Sequence, residues 1–77
     1  MTDAYVMINC DLGAEEKLIA KLRELEQVKD VFETIGTHDM MVVIRAENFE
    51  TIRDIVSRTI QKLDKVRSTA TLIKKDN

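Results

Sequence analysis

An unbroken apolar run at residues 40–44 constrains the fold more than any other feature of the sequence. The run is far shorter than the roughly 20 residues that a membrane-spanning helix needs. A strand with one face in water would alternate apolar and polar residues, whereas this run is apolar at every position. The pattern therefore predicts a central β-strand covered on both faces. The Gly36-Thr37-His38-Asp39 segment before it predicts a tight turn out of an earlier strand at residues 31–35.

The first third of the chain predicts a strand followed by an amphipathic helix. Residues 4–10 are rich in β-forming side chains and are bounded by polar residues, which is typical of a strand. Asp11 or Gly13 is the predicted cap of the helix, and Glu15 and Glu16 then occupy its first turn, where the helix dipole favours acidic residues. The predicted buried side of this helix carries Leu18, Ile19, Leu22 and Leu25.

After the central strand, the sequence predicts a second helix and a last strand. Asn48 is the predicted N-cap of the helix, and residues 66–73 form the strand. The predicted inner face of the helix carries Phe49, Ile52, Ile55, Val56, Ile60 and Leu63. The element order is then β-α-β-β-α-β. It predicts an α+β, ferredoxin-like sandwich in a single domain, residues 1–77, with a four-stranded antiparallel sheet and both helices on one face.

The helix-free face of this sheet is predicted to be apolar, which a monomer would expose to water. In the first and third strands, residues on both faces are apolar. In the third strand, Met41 and Val43 would face one side and Met40, Val42 and Ile44 the other; in the first strand, Tyr5 and Met7 would lie opposite Val6 and Ile8. A 77-residue chain also has a marginal core. We therefore expect a homodimer that pairs through the helix-free face.

Composition argues against several classes of function. The single cysteine, Cys10, rules out an internal disulfide, and no Cys/His cluster indicates a metal site. The net charge of −2 with interspersed signs argues against direct nucleic-acid binding. One histidine and one cysteine, far apart in sequence, provide no catalytic set, so we expect neither an enzyme nor a bound cofactor. The N-terminus lacks the pattern of a signal peptide and no segment could span a membrane, so we expect a cytoplasmic protein.

Three segments give the chain a resemblance to a known family. They are Gly36-Thr37-His38-Asp39 with its apolar strand, Val28-Lys29-Asp30-Val31-Phe32, and Val66-Arg67-Ser68-Thr69-Ala70-Thr71. In this order and spacing the chain resembles the effector domain of Lrp/AsnC regulators, often called the RAM domain. The chain differs from the family in two respects. No segment matches the helix-turn-helix, which suggests a stand-alone form. The turn carries His38 where the family usually has an aromatic residue.

The resemblance implies an amino-acid sensing module linked to transcriptional regulation of amino-acid metabolism. It implies a homodimer that assembles to an octamer or decamer, with a full-length Lrp/AsnC regulator as a possible partner. The effector would bind between subunits beside the turn. Asp39 would accept from an α-ammonium group, and backbone N–H groups near Gly36 would bind an α-carboxylate. The candidate ligand-binding residues are Gly36, Thr37, His38, Asp39, Ser68, Thr69 and Thr71.

Three alternative interpretations remain open at this point. Gly36 and Asp39 are common in ordinary hairpin turns, and threonine is common in strands for structural reasons. Small dimeric ferredoxin-like proteins also include cofactor-free monooxygenases and isomerases, for which Tyr5, Asn9, His38 and Asp39 would be the candidate residues. An ACT-like amino-acid-binding module would share the topology and the ligand class.

Overall fold

A computed structural model describes residues 1–75 of the chain, so the last two residues of the predicted domain lie outside the described part. The elements follow the predicted β-α-β-β-α-β order, with one added 3-10 turn at Ile60–Lys62. The strands are β1 (Thr2–Cys10), β2 (Val28–Glu33), β3 (Met40–Ala46) and β4 (Val66–Ile73), and the helices are α1 (Glu15–Arg23) and α2 (Phe49–Arg58).

The four strands form one antiparallel sheet in the order β2-β3-β1-β4. The apolar run at residues 40–44 therefore lies in an interior strand, as predicted. On one face of the sheet, Ile8, Met40 and Ile44 are fully buried beneath the helices. Leu22 of α1 and Ile52 of α2 are fully buried in the same core. The ferredoxin-like architecture with both helices on one face is thus confirmed.

The second helix begins at its predicted cap, because the Asn48 side chain accepts a hydrogen bond from the Thr51 backbone N–H at 2.9 Å. Its inner face differs from the prediction at one position. Phe49 is 44% exposed, and the Arg53 guanidinium lies 5.4 Å from the centre of its ring. A residue in the first turn of a helix can project away from the sheet, and here a cation–π contact partly covers the ring.

Two other local predictions were wrong. Neither Asp11 nor Gly13 caps α1: the N-cap is Ala14, and no side chain accepts from its first turn. The second strand runs from Val28 to Glu33 rather than over residues 31–35, because the Val28 N–H already bonds to the Leu25 carbonyl and Val28 then pairs with Ile44. Ile35 consequently lies in the turn, where its side chain is fully exposed.

Candidate functional site

The helix-free face of the sheet carries two adjacent rows of apolar side chains. In β1 and β3, strand alternation places them there, because their neighbours along these two strands are buried under the helices. One row contains Phe32, Met41, Met7 and Ala70, and the next contains Val43, Tyr5 and Leu72. Phe32 is 43% exposed and Leu72 is 56% exposed. This set of residues, called the open face below, is the apolar surface that the alternation of β1 and β3 predicts.

Polar pairs border the open face at both ends. At one end, the Arg45 guanidinium donates two hydrogen bonds to the Asp3 carboxylate, at 2.7 and 3.1 Å. These bonds lower the pKa of the Asp3 carboxyl. The pair therefore stabilises the fold at neutral pH, and this stabilisation is lost as the pH falls through that lowered pKa. At the other end, the Asn9 amide lies 3.4 Å from the Ser68 hydroxyl. The apolar rows thus have a polar rim, as interfaces commonly do.

Asp39 ties the β2–β3 turn to the central strand β1. Its backbone N–H donates to the Ile8 carbonyl at 2.9 Å, and its carbonyl accepts from the Thr34 N–H at 3.0 Å. Its side-chain Oδ2 accepts from the backbone N–H of Cys10 at 2.8 Å. The carboxylate therefore extends the hydrogen bonding between β1 and β3 past the last residue pair of the ladder, Ile8 and Met40. One carboxylate oxygen is thereby held in place, and the carboxylate also acts on the Cys10 thiol.

Asp39→Ala should lower the free energy of unfolding by about 1–3 kcal/mol, because the Cys10 N–H loses its acceptor at a partly buried position. Asp39→Asn retains an acceptor oxygen and should cost less than half of that. Urea denaturation followed by circular dichroism measures both values. Equal losses for the two variants would mean that the negative charge, rather than the hydrogen bond, supports the turn.

The turn itself is stabilised by local contacts. The Thr34 hydroxyl donates to the His38 carbonyl at 2.7 Å, and the Thr37 hydroxyl lies 3.1 Å from His38 Nδ1. Gly36 has a φ of +139°, which side-chain-bearing residues rarely adopt. A glycine is therefore required by the backbone of this turn, whether or not a ligand binds there.

An open cleft of about 520 Å³ lies at this end of the sheet, between the turn, the start of α1 and the beginning of β4. It brings together three of the predicted binding residues, Thr37, Asp39 and Ser68. The remaining lining residues are Asn9, Cys10, Leu12, Glu15 and Arg67. Sequence reasoning assigned none of these five to the ligand-binding site, and only the fold brings the start of α1 beside Asp39.

The other predicted binding residues lie elsewhere. Thr69 accepts a hydrogen bond from the Gln61 amide at 2.9 Å, and Thr71 lines a groove beside α2, so both belong to the helix side of β4. Gly36 and His38 belong to the same turn as Asp39 but do not line the cleft. The four candidates for an enzyme site are also divided, because Asn9 and Asp39 line the cleft whereas Tyr5 and His38 do not.

Acidic side chains lie around the Cys10 thiol in the cleft. Burial raises the pKa of the Cys10 thiol, and the negative charges of Asp39, Glu15 and Asp11 raise it further. Cys10 is buried and therefore acts as the small core residue that the sequence predicts, in its protonated form.

Within residues 1–75, no group of histidine, cysteine and acidic side chains could hold a metal ion. No helix in this part of the chain is long and apolar enough to cross a membrane.

Comparisons with known proteins agree with this fold. A family model described as the Lrp/AsnC ligand binding domain matches residues 3–74. The HTH-type transcriptional regulator FL11 of Pyrococcus furiosus is 29% identical over 70 residues, which cover 91% of this chain and 46% of that protein. The chain thus spans about half the length of the curated relatives it matches.

Solved structures give the same result. The crystal structure of TTHA0845 from Thermus thermophilus superposes with a TM-score of 0.94 at 28% identity, covering 100% of this chain and 96% of that one. The transcriptional regulator NMB0573 of Neisseria meningitidis, solved as a complex with L-Met, has a TM-score of 0.89 at 16% identity and covers 97% of this chain and 50% of its own. At that identity, the likeness shows a shared fold.

Proposed function

This chain belongs to the Lrp/AsnC ligand-binding domain family, and we propose that it is a non-enzymatic amino-acid sensor whose binding site is completed between subunits. Its relatives include transcriptional regulators, so the proposed output is the regulation of transcription, in the cytoplasm. Amino-acid metabolism is the process that such a sensor would serve.

The observation that carries the proposal is the open face, with the polar cleft directly at its end. Covering apolar surface contributes about 25 cal/mol per Å², so each ~200 Å² covered contributes about 5 kcal/mol. The total stability of a small domain is only about 5–15 kcal/mol. A second copy that covers a few hundred Å² of the open face would therefore contribute a free energy comparable with the net stability of one subunit. The same partner would come close to Asn9 and Ser68, which line the cleft.

The cleft offers groups that suit an amino acid. Asp39 is held by the Cys10 N–H through one carboxylate oxygen, and the other is available to an α-ammonium group. The Ser68 hydroxyl and the Asn9 amide can bond to either end of the ligand. The L-Met complex of the Neisseria meningitidis regulator supports an amino acid as the class of ligand.

Ligand binding would be coupled to assembly. A ligand held by two subunits stabilises whichever oligomer completes its site. Leu12 in the cleft lining and Ile35 in the neighbouring turn are fully exposed, and they provide apolar surface for dimers to assemble into an octamer or decamer. A full-length regulator that carries the same open face is the proposed downstream partner. Native mass spectrometry of the mixed proteins would show hetero-oligomers if this partnership is correct.

Static light scattering with each of the twenty amino acids tests the sensor function. One or a few of them should change the mass of the assembly, and Asp39→Asn should weaken this response at least about tenfold in ligand concentration, because a charged acceptor is lost. Glu26→Gln, which removes a charge outside the cleft, is the matched control and should respond like the wild-type protein. If no amino acid changes the mass or the melting temperature, the proposal is wrong.

A further inference from the structure

The charges that line the cleft are unbalanced, and the imbalance bears on which amino acid would bind. Glu15 and Asp39 contribute carboxylates, whereas Arg67 contributes the one cationic side chain of the lining. The Arg67 guanidinium lies 3.7 Å from a third carboxylate, that of Asp11. An amino acid with a neutral side chain brings one positive and one negative charge, so it would leave the excess negative charge of the cleft unmatched.

We propose that the cleft selects an amino acid with a cationic side chain. This inference rests on the proposed function and specifies the ligand class. Asp39 accepts from the α-ammonium group through its available oxygen, and Arg67, which is 72% exposed, can turn to the α-carboxylate. Glu15 then remains for the cationic group at the end of the side chain. A volume of about 520 Å³ accommodates a ligand with a four-carbon side chain.

The Cys10 thiol lines the same cleft and lies within the influence of the same carboxylates. Burial raises its pKa most, and the negative charges of Asp39, Glu15 and Asp11 raise it further. Carboxylates from the turn, from α1 and from the β1–α1 loop therefore act together on one buried atom. Such a potential attracts a cationic group and repels an anionic one.

Glu15 also lies in the first turn of α1, where the helix dipole favours an acidic residue for structural reasons alone. Glu16 is next to it in the same turn, is exposed and does not line the cleft. Comparing substitutions at the two residues therefore separates the effect of the helix dipole from the effect on ligand choice. Glu15→Gln should alter ligand choice, whereas Glu16→Gln should alter only the stability of the helix, and only slightly.

Isothermal titration calorimetry at low ionic strength tests the proposal with L-lysine, L-norleucine and L-glutamate. Norleucine has the carbon chain of lysine without the terminal ammonium group. Lysine should bind about tenfold more tightly than norleucine, and glutamate should bind most weakly. Glu15→Gln should reduce the preference for lysine over norleucine to about twofold or less, whereas Glu16→Gln should preserve it. Added salt should also reduce the preference, because the cleft is open to solvent.

The outcomes distinguish this inference from the proposed function. Norleucine binding as tightly as lysine would overturn the inference and leave an amino-acid sensor in place. A lysine preference that survives Glu15→Gln would also overturn it, since the selectivity would then arise elsewhere. If none of the twenty amino acids binds, the sensor function and the ligand class fail together.

Discussion

Met41→Lys should convert the proposed dimer into monomers, with a dissociation constant raised at least about 100-fold. Met41 lies in an interior strand, between Met7 and Phe32 on the open face. A lysine there would place an ammonium group in an apolar interface with no acidic side chain in its row. Burying an unpaired charge costs several kcal/mol, and two-fold symmetry introduces the substitution twice. Sedimentation velocity over a range of concentrations measures the dissociation constant directly.

Ala20→Lys is the matched control for this experiment. Ala20 lies on the exposed side of α1, so its replacement adds the same charge on the opposite side of the molecule and should leave the dimer intact. Circular dichroism should show a folded chain for both variants, because Met41 is not part of the buried core. A Met41→Lys protein that remains a tight dimer would show that the subunits pair elsewhere. A wild-type protein that is monomeric at micromolar concentration would remove the basis of the inter-subunit site.

The fold could be predicted because several signals in the sequence agree with one another. The apolar run at residues 40–44, the helical stripe around Leu18 and Leu22, and the cap at Asn48 each specify one element. Together they leave few topologies other than a ferredoxin-like sandwich. The apolar open face could be predicted as well, because side chains alternate between the two faces of a strand, which places Tyr5 and Met7 on the side opposite Val6 and Ile8.

The lining of the candidate cleft could be predicted only in part, and β4 shows why. It is an edge strand with weak alternation, and its pairing with β1 shifts register between Asn9 and Cys10. Sequence therefore does not show that Ser68 faces the cleft end while Thr69 faces the helix side. The hydrogen bond from the Cys10 N–H to Asp39 joins residues 29 positions apart. No local pattern reports such a contact, and the same holds for the approach of Glu15 to the cleft.

Ile8→Ala should cause the largest loss of stability, about 2–5 kcal/mol. Ile8 is fully buried in the interior strand β1, where it pairs with Met40 of β3 and Thr69 of β4. Truncation removes apolar atoms from beneath both helices and leaves a cavity that a two-layer fold cannot easily close. The substitution leaves the backbone hydrogen bonds of β1 in place, so the expected loss reflects packing.

Ile35→Ala is the same chemical change at a position that is fully exposed in the subunit, and at a protein concentration too low for the proposed dimers to assemble further it should shift the free energy of unfolding by less than about 0.5 kcal/mol. Both variants should be unfolded in urea at one fixed protein concentration, because unfolding of a dimer depends on concentration. A loss below about 1 kcal/mol for Ile8→Ala would mean that the subunit core contributes little, so that pairing through the open face supplies most of the stability. In that case Met41→Lys would unfold the chain as well as separate the subunits, and circular dichroism would detect the difference. The two substitutions together therefore determine how the stability of this small domain divides between its own core and the proposed contact through the open face.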